Sequence, residues 1–431
     1  MLQKIRNQEN GLRHRFQPFS VLRSGTFESS IADAYRFDGD EGEPVIPYVV
    51  AFNKSPSNKR ACLVADEDGF INIIDLSSRN IVFNRSVHQN AIYAACWYNN
   101  DTSILTASGD KTCTISDIET QSQIAAFGHT ASVKSLSVHR ETSSVFASGS
   151  RDGNVFIWDT RRLRNIPGAS LSPVGALISP HQSKQLTPAR RSRGGRHIFH
   201  AESPKSVSSV LFLGDTNLLA TGGASDGCVK LFDLRKFNST SPVAECKPPQ
   251  STGISSLSLD ENGSRSRLLV SCTNSIRAVY ADCRAKGFNI APLIFNKDAV
   301  LKSSFYVKSC FSPCGRFILG GTATGSLQLF DCQEPNICQI LPGAGHGDIN
   351  GVAWDSCDPD CIASCSDDGD VRIWKYRRYT HNRIPTLHTL SPQSLANELP
   401  ASSSISTPTT VRQTTLNQLW RLSPPRQNNK S

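Results

Sequence analysis

Two tetrapeptides, Trp158-Asp159-Thr160-Arg161 and Phe232-Asp233-Leu234-Arg235, repeat one arrangement: an aromatic residue, an aspartate and, two places on, an arginine. Arginine carries five N–H donors in a rigid fork, suited to a bidentate contact with a carboxylate or carbonyl of a partner. The chemistry this offers is recognition. A second pattern sets a histidine beside a hydroxyl, a carboxylate and an indole: His129, Ser148, Asp152 and Trp158, and again His346, Ser364, Asp368 and Trp374. These residue types could serve hydrolysis. A structural reading comes first, because an aspartate and an indole N–H that become buried must both find hydrogen-bond partners, and each set could form one buried tetrad. No serine-nucleophile elbow, phosphate loop or metal triad is read in the chain, so neither catalysis nor a cofactor is expected. Cys357, Cys361 and Cys365 with His346 upstream lack the spacing of common zinc motifs, and no metal is expected either.

The elements that must position these residues recur along the chain. Asp75, Asp117 and Asp159 stand 42 residues apart, and Asp233 follows after 74, one period plus an insertion. Glu67-Asp68-Gly69, Gly109-Asp110-Lys111, Asp152-Gly153, Asp226-Gly227, Thr324-Gly325 and Asp367-Asp368-Gly369 each precede a short apolar run. A weaker copy at Thr273–Tyr280 makes seven units. Each has the same order: an apolar run such as 133–138, a second such as 145–148, an Asp-Gly turn that supplies positive φ, and an alternating strand such as 154–158. The unit resembles the WD-repeat blade. The chain is therefore read as all-β, a seven-bladed WD-repeat β-propeller over 44–376. A closing strand near 19–25 is expected within an N-terminal segment 1–43, because closure removes exposed sheet edges.

Charge separates body from appendages. The chain carries +9 overall, yet residues 161–205 carry +8 and residues 376–431 carry +6, which leaves the remainder at −5. Both stretches are rich in Ser, Pro, Gln and Asn. The insertion 162–205 and the tail 377–431 are accordingly expected to be disordered. Arg190-Arg191-Ser192-Arg193-Gly194-Gly195-Arg196 is read as a nuclear-import patch, a nucleic-acid patch or a solvated loop. Thr187-Pro188-Ala189-Arg190 and Ser423-Pro424-Pro425-Arg426 have the pattern favoured by cell-cycle kinases, where a phosphate would reduce the local positive charge. Fourteen scattered cysteines without a CxxC pair, no leader-like N-terminus and no long apolar run lead to an expectation of a reducing cytosolic or nuclear compartment and no membrane.

The stretch from Phe146 to Arg161 resembles the docking box of WD-repeat receptors that bind the damaged-DNA-binding adaptor of cullin-four RING ubiquitin ligases. Further segments narrow the likeness: Ser20-Val21-Leu22-Arg23-Ser24-Gly25, Asp66-Glu67-Asp68-Gly69-Phe70, the paired boxes with a basic insertion between them, Ser304-Phe305-Tyr306-Val307-Lys308-Ser309 and Cys365-Ser366-Asp367-Asp368. Over about residues 19–376 the chain resembles the denticleless family. That resemblance implies a non-catalytic, nuclear substrate receptor that presents replication and cell-cycle proteins bound to the sliding clamp, PCNA, for ubiquitination. The partners implied are the adaptor with its cullin-RING ligase, PCNA and substrate degrons; DNA bound by the basic appendages is a further reading. The adaptor contacts would be Trp158, Asp159, Arg161, Phe232, Asp233 and Arg235. Phe232 departs from the box, which elsewhere has Trp, so Arg161 ranks above Arg235. Arg79, Lys134, Lys302 and Lys308 are degron candidates by strand-edge position. A general WD-repeat scaffold of a chromatin or RNA-processing complex is the alternative.

In the tail, Gln413-Thr414-Thr415-Leu416-Asn417-Gln418-Leu419-Trp420 has the spacing of a clamp-binding motif. Gln413 would reach one small pocket while Leu416, Leu419 and Trp420 plug another. Leu419 stands where an aromatic is usual, which lowers the expected affinity. The other reading is a short amphipathic tail segment that packs on the propeller, or no role.

Overall fold

The computed structural model describes residues 25–39, 42–55, 59–165, 172–182, 205–214, 217–236, 241–248, 251–260, 267–272, 275–282, 287–295, 307–332 and 337–378. Among them there are seven antiparallel sheets, six of four strands and one of five. Each is one blade. The inner strands Pro47–Phe52, Ile92–Tyr98, Val133–Val138, Val207–Phe212, Ile254–Leu259, Ser309–Phe311 and Ile349–Trp354 follow one another around a ring, and the last contacts the first. Blades are numbered one to seven in that order.

Position within a blade dictates composition. The second strand of each blade has a neighbouring strand on either edge and a neighbouring blade on either face. Ser103–Ser108, Leu218–Gly223 and Cys361–Ser366 are buried along their whole length. Such strands admit small residues, hence Ala147-Ser148-Gly149-Ser150 in blade three. Inner strands alternate, as in the buried and half-buried pattern of Val133–Val138. Outer strands face solvent: only Phe83 is buried in Asn80–Ser86. The core is thus a series of wedges between blades. In one wedge, Phe127 of blade two meets Phe146 of blade three edge-on at 4.9 Å and Trp158 at 5.2 Å. The turns between second and third strands use Gly69, Gly153, Gly227, Gly325 and Gly369 at positive φ, and Lys111 fills that place in blade two.

Apart from Gly25, the closing strand expected near 19–25 lies outside the described residues. Among the described residues, blade seven is closed by Gly25–Glu28, paired with Lys375–Arg378, and by Ala34–Arg36, paired with Asp370–Arg372. Phe27 anchors it, buried against Trp354 at 5.6 Å and Tyr376 at 5.4 Å. The insertion expected over 162–205 is shorter than read. Gly175–Leu177 is the fourth strand of blade three, with Leu177 in the wedge towards blade four. His181 is buried within blade four. Residues 183–204 and 379–431, which hold Thr187, the arginine cluster, Ser423 and the segment from Gln413 to Trp420, lie outside the described residues.

Candidate interaction sites

The two arginine boxes occupy equivalent places on neighbouring blades. In each, the third strand ends at the aspartate and the chain enters a short 3-10 turn, Thr160–Asn165 or Leu234–Lys236. The residue between Asp and Arg is turned inward. Thr160 N–H donates to the Ser144 carbonyl at 2.9 Å and its hydroxyl lies 3.1 Å from that of Tyr98. Leu234 N–H donates to the Asn217 carbonyl at 2.8 Å, and its side chain packs on the wedge between blades three and four. The arginine is thereby turned outward. This is why a spacing of two matters.

Both guanidinium groups are held alike. Arg161 donates from Nε to Asp159 Oδ1 at 2.9 Å and from Nη2 to Oδ2 at 2.6 Å, while its backbone N–H donates to Oδ1 at 3.0 Å. Arg235 donates to Asp233 at 2.9, 2.7 and 3.1 Å in the same three ways. The arginine side chains remain 68% and 61% exposed. The hydrogen bonds from Arg161 hold the Asp159 carboxyl below its ordinary pKa. Each pair fixes a planar fork by one edge and leaves the remaining N–H groups outward, so a partner need not pay to order it. Behind the forks the blades differ. Trp158 donates its indole N–H to Ser148 Oγ at 2.8 Å, whereas Phe232 is buried with no donor to place.

The four tetrad residues of blade three come together. His129 Nδ1 lies 3.1 Å from Asp152 and Nε2 lies 2.7 Å from Ser148 Oγ. In blade seven they do not. Trp374 donates to Ser364 at 3.0 Å, but the exposed His346 reaches Asp368 only through its backbone N–H, at 2.7 Å. The reason is register. His129 stands four residues before Val133, and His88 four before Ile92; His346 stands only three before Ile349. Gly345 takes the equivalent place, its N–H donating to the Gly325 carbonyl as that of His88 donates to the Gly69 carbonyl.

Two further networks escaped sequence reading. His88 sits 2.8 Å from both Asp110 and Thr106 Oγ1. Its spacing to Ile92 could have found it. His181 sits 2.8 Å from Asp226 and 2.9 Å from Thr221 Oγ1. No spacing marks it, since it approaches blade four from within the insertion. Gly223-Ala224-Ser225-Asp226-Gly227 does carry the Gly-x-Ser-x-Gly order, contrary to the reading above. It is a strand-to-strand turn, not a strand-to-helix elbow, and both ring nitrogens of His181 are engaged by Asp226 and Thr221. Cys361 and Cys365 are buried within one strand, and burial pushes both thiols up to about 12.

Of the degron candidates, Lys134 and Lys308 both approach Tyr93 of the inner ring. Arg79 lies elsewhere, paired with Asp33 at 3.1 Å. Lys302 is outside the described residues.

Residues 80–117, 121–159, 196–233 and 337–375 match the family described as WD domain, G-beta repeat. The Denticleless protein homolog of Danio rerio is 31% identical, over 88% of this chain and 59% of that protein. The human homolog is 31% identical over 84% of this chain and 50% of its own length, and Protein lethal(2)denticleless of Drosophila melanogaster 28% over 86% and 50%. The chain thus spans about half to three fifths of the length of these relatives. With the repeats closed into blades and the likeness running through nearly all of them, the chain belongs to the denticleless family of WD-repeat proteins.

Proposed function

We propose that this protein is the substrate-recognition subunit of a cullin-RING ubiquitin ligase. It docks on the damaged-DNA-binding adaptor through the rim formed by Arg161 and Arg235, and presents clamp-bound replication and cell-cycle proteins in the nucleus. It contributes no catalytic group and acts by proximity. The observation that carries this reading is the pair of Asp-Arg forks, held by the same hydrogen bonds on adjacent blades with both arginine side chains mostly exposed. The tail segment with Gln413, Leu416, Leu419 and Trp420 would add contact with PCNA, and the basic appendages with DNA.

The test is adaptor binding. Arg161→Ala weakens it by about 2 kcal/mol or more, as for a desolvated anchor, and Arg235→Ala by the same or less. Unchanged pull-down by the double variant overturns the reading in favour of a general scaffold. The clamp contact is tested with a peptide spanning 408–426, which binds PCNA at about −8 kcal/mol or weaker and loses binding on Leu416→Ala with Trp420→Ala.

A further inference from the structure

The ends of the central channel are not alike. In blade three, Val133 pairs with Ser150 and Val155 starts beside Gly149, while Asp159 pairs with Val145 at the far end. Arg161 and Arg235 therefore lie at one end of the blades, and the starts of the inner strands at the other. At those starts the pairing skips one residue: Tyr48, Tyr93, Lys134, Ser208, Ser255 and Asn350 are the extra residues of β-bulges. Lys308 falls in the corresponding place of blade six, just before Ser309, and its carbonyl accepts from Gly321 N–H.

Two of these residues are lysines, and they converge. Lys308 crosses from blade six to donate to the Tyr48 and Tyr93 carbonyls of blades one and two, each at 3.2 Å. Lys134 lies over the Tyr93 ring, 3.1 Å from its centroid, and the Tyr48 and Tyr93 rings are 5.6 Å apart. Arg151, exposed on the turn of blade three, adds a third positive charge near Lys134. A lysine side chain spans the channel here, so the space admits a side chain and excludes a nucleic-acid duplex.

We propose that this mouth is an anion site in which Lys134, Arg151 and Lys308 take an acidic side chain, carboxylate or phosphate, from a bound peptide. It rests on the reading of the protein as a substrate receptor and gives the chemistry its receiving face would select. Burial, and then Arg151, lower the Lys134 ammonium to about 7; burial lowers Lys308 as well. Among the described residues, the groups beside Lys134 include Tyr93, whose ring it covers, and Arg151 on its own blade, while Lys308 reaches the Tyr93 carbonyl from across the channel. An anion placed among them favours the charged lysine, so binding takes up a proton. Binding then strengthens about tenfold between pH 8 and pH 6, the span over which a group of pKa near 7 becomes charged.

The experiment is fluorescence anisotropy of the full chain with three labelled probes of equal length: a glutamate-containing peptide, its phosphoserine counterpart and its glutamine counterpart. The expected result is binding of at least one acidic probe that tightens about tenfold from pH 8 to pH 6. Lys134→Gln and Arg151→Gln each weaken that probe about tenfold at pH 6, and Lys134→Arg retains affinity with a flat pH profile. Which acidic probe binds decides between carboxylate and phosphate. Equal affinity for the glutamine peptide, or acidic-peptide binding that survives Lys134→Gln, overturns the proposal. So does binding of a single-stranded DNA probe that depends on Lys134 while neither acidic peptide binds. Adaptor pull-down with the wild-type protein reports on the opposite end of the blades, so failure of the receptor reading and failure of the anion site are separate results.

Discussion

Blades three and seven contain the same four residue types in the same order, and only blade three assembles them. In blade three, Ser148 Oγ sits between the His129 ring at 2.7 Å and the Trp158 indole at 2.8 Å. In blade seven, Ser364 meets Trp374 alone, because the histidine stands one residue closer to the inner strand and Gly345 takes the place equivalent to His129. A Cβ at Gly345 would collide with the Ser366 side chain, so a histidine there requires that side chain to move. A motif defined by residue type does not specify a network. The interval between the histidine and the strand does, since one residue turns the side chain from the interior to solvent.

The largest effect that could break this comparison is at the two serines. Ser148→Ala leaves a buried indole N–H and a buried imidazole nitrogen without their shared partner, and costs about 2–3 kcal/mol. Ser364→Ala strands only one group and costs about 1 kcal/mol. Chemical denaturation of both variants checks it. Equal losses would mean that the histidine contact in blade three contributes nothing beyond the indole bond.

The aspartates sharpen the contrast through pH. Burial alone would raise the Asp152 carboxyl, but hydrogen bonds from His129 and from the Asn154 and Thr130 amides more than offset it and bring it down to about 2. Its folded pKa is thus below the unfolded value near 4. The stability it contributes, about 2 kcal/mol, is full above about pH 5 and disappears as pH falls towards 2. Asp152→Asn flattens the acid limb over that window. In blade seven the sign reverses at Asp367, where burial and the charges of Asp348 and Asp368 push the carboxyl up to about 6. A folded pKa above the unfolded one costs stability as pH rises from about 4 through 6. Asp367 is solvent-exposed, which screens the effect, so Asp367→Asn raises the melting temperature at pH 7 only slightly, and the gain vanishes near pH 4. Parallel acid limbs for the wild type and Asp152→Asn would show that the blade-three network does not hold its carboxylate.

Much of this was legible in the sequence. The 42-residue period, the Asp-Gly turns and the small residues of the second strands are local requirements of a blade, and they recur at Gly69, Gly153 and Gly369 with positive φ. The outward arginines were legible for the same reason, since a strand end followed by one inward residue fixes the next. What was not legible depends on distant segments. His181 reaches blade four from an insertion whose length hides the period. The closing strand Gly25–Glu28 reads as a polar stretch with one phenylalanine, and only the distant Trp354 and Tyr376 make Phe27 its anchor. Both lysines at the channel mouth reach Tyr93 because the ring closes, bringing Lys308 to a tyrosine 215 positions away in sequence.

The smallest expected effect is the most direct test of register. His346 is exposed and its only hydrogen bond recorded among the described residues is from the backbone N–H to Asp368, which alanine would preserve. His346→Ala therefore changes stability by less than about 0.5 kcal/mol, as for surface positions generally. His129→Ala removes a buried ring from between Asp152 and Ser148, stacked 4.3 Å from Phe156, and costs at least about 2 kcal/mol. Matched denaturation curves for the two variants give the difference. A loss above about 1.5 kcal/mol at His346 would place its ring inside blade seven after all, and the one-residue argument for the difference between the blades would fall with it.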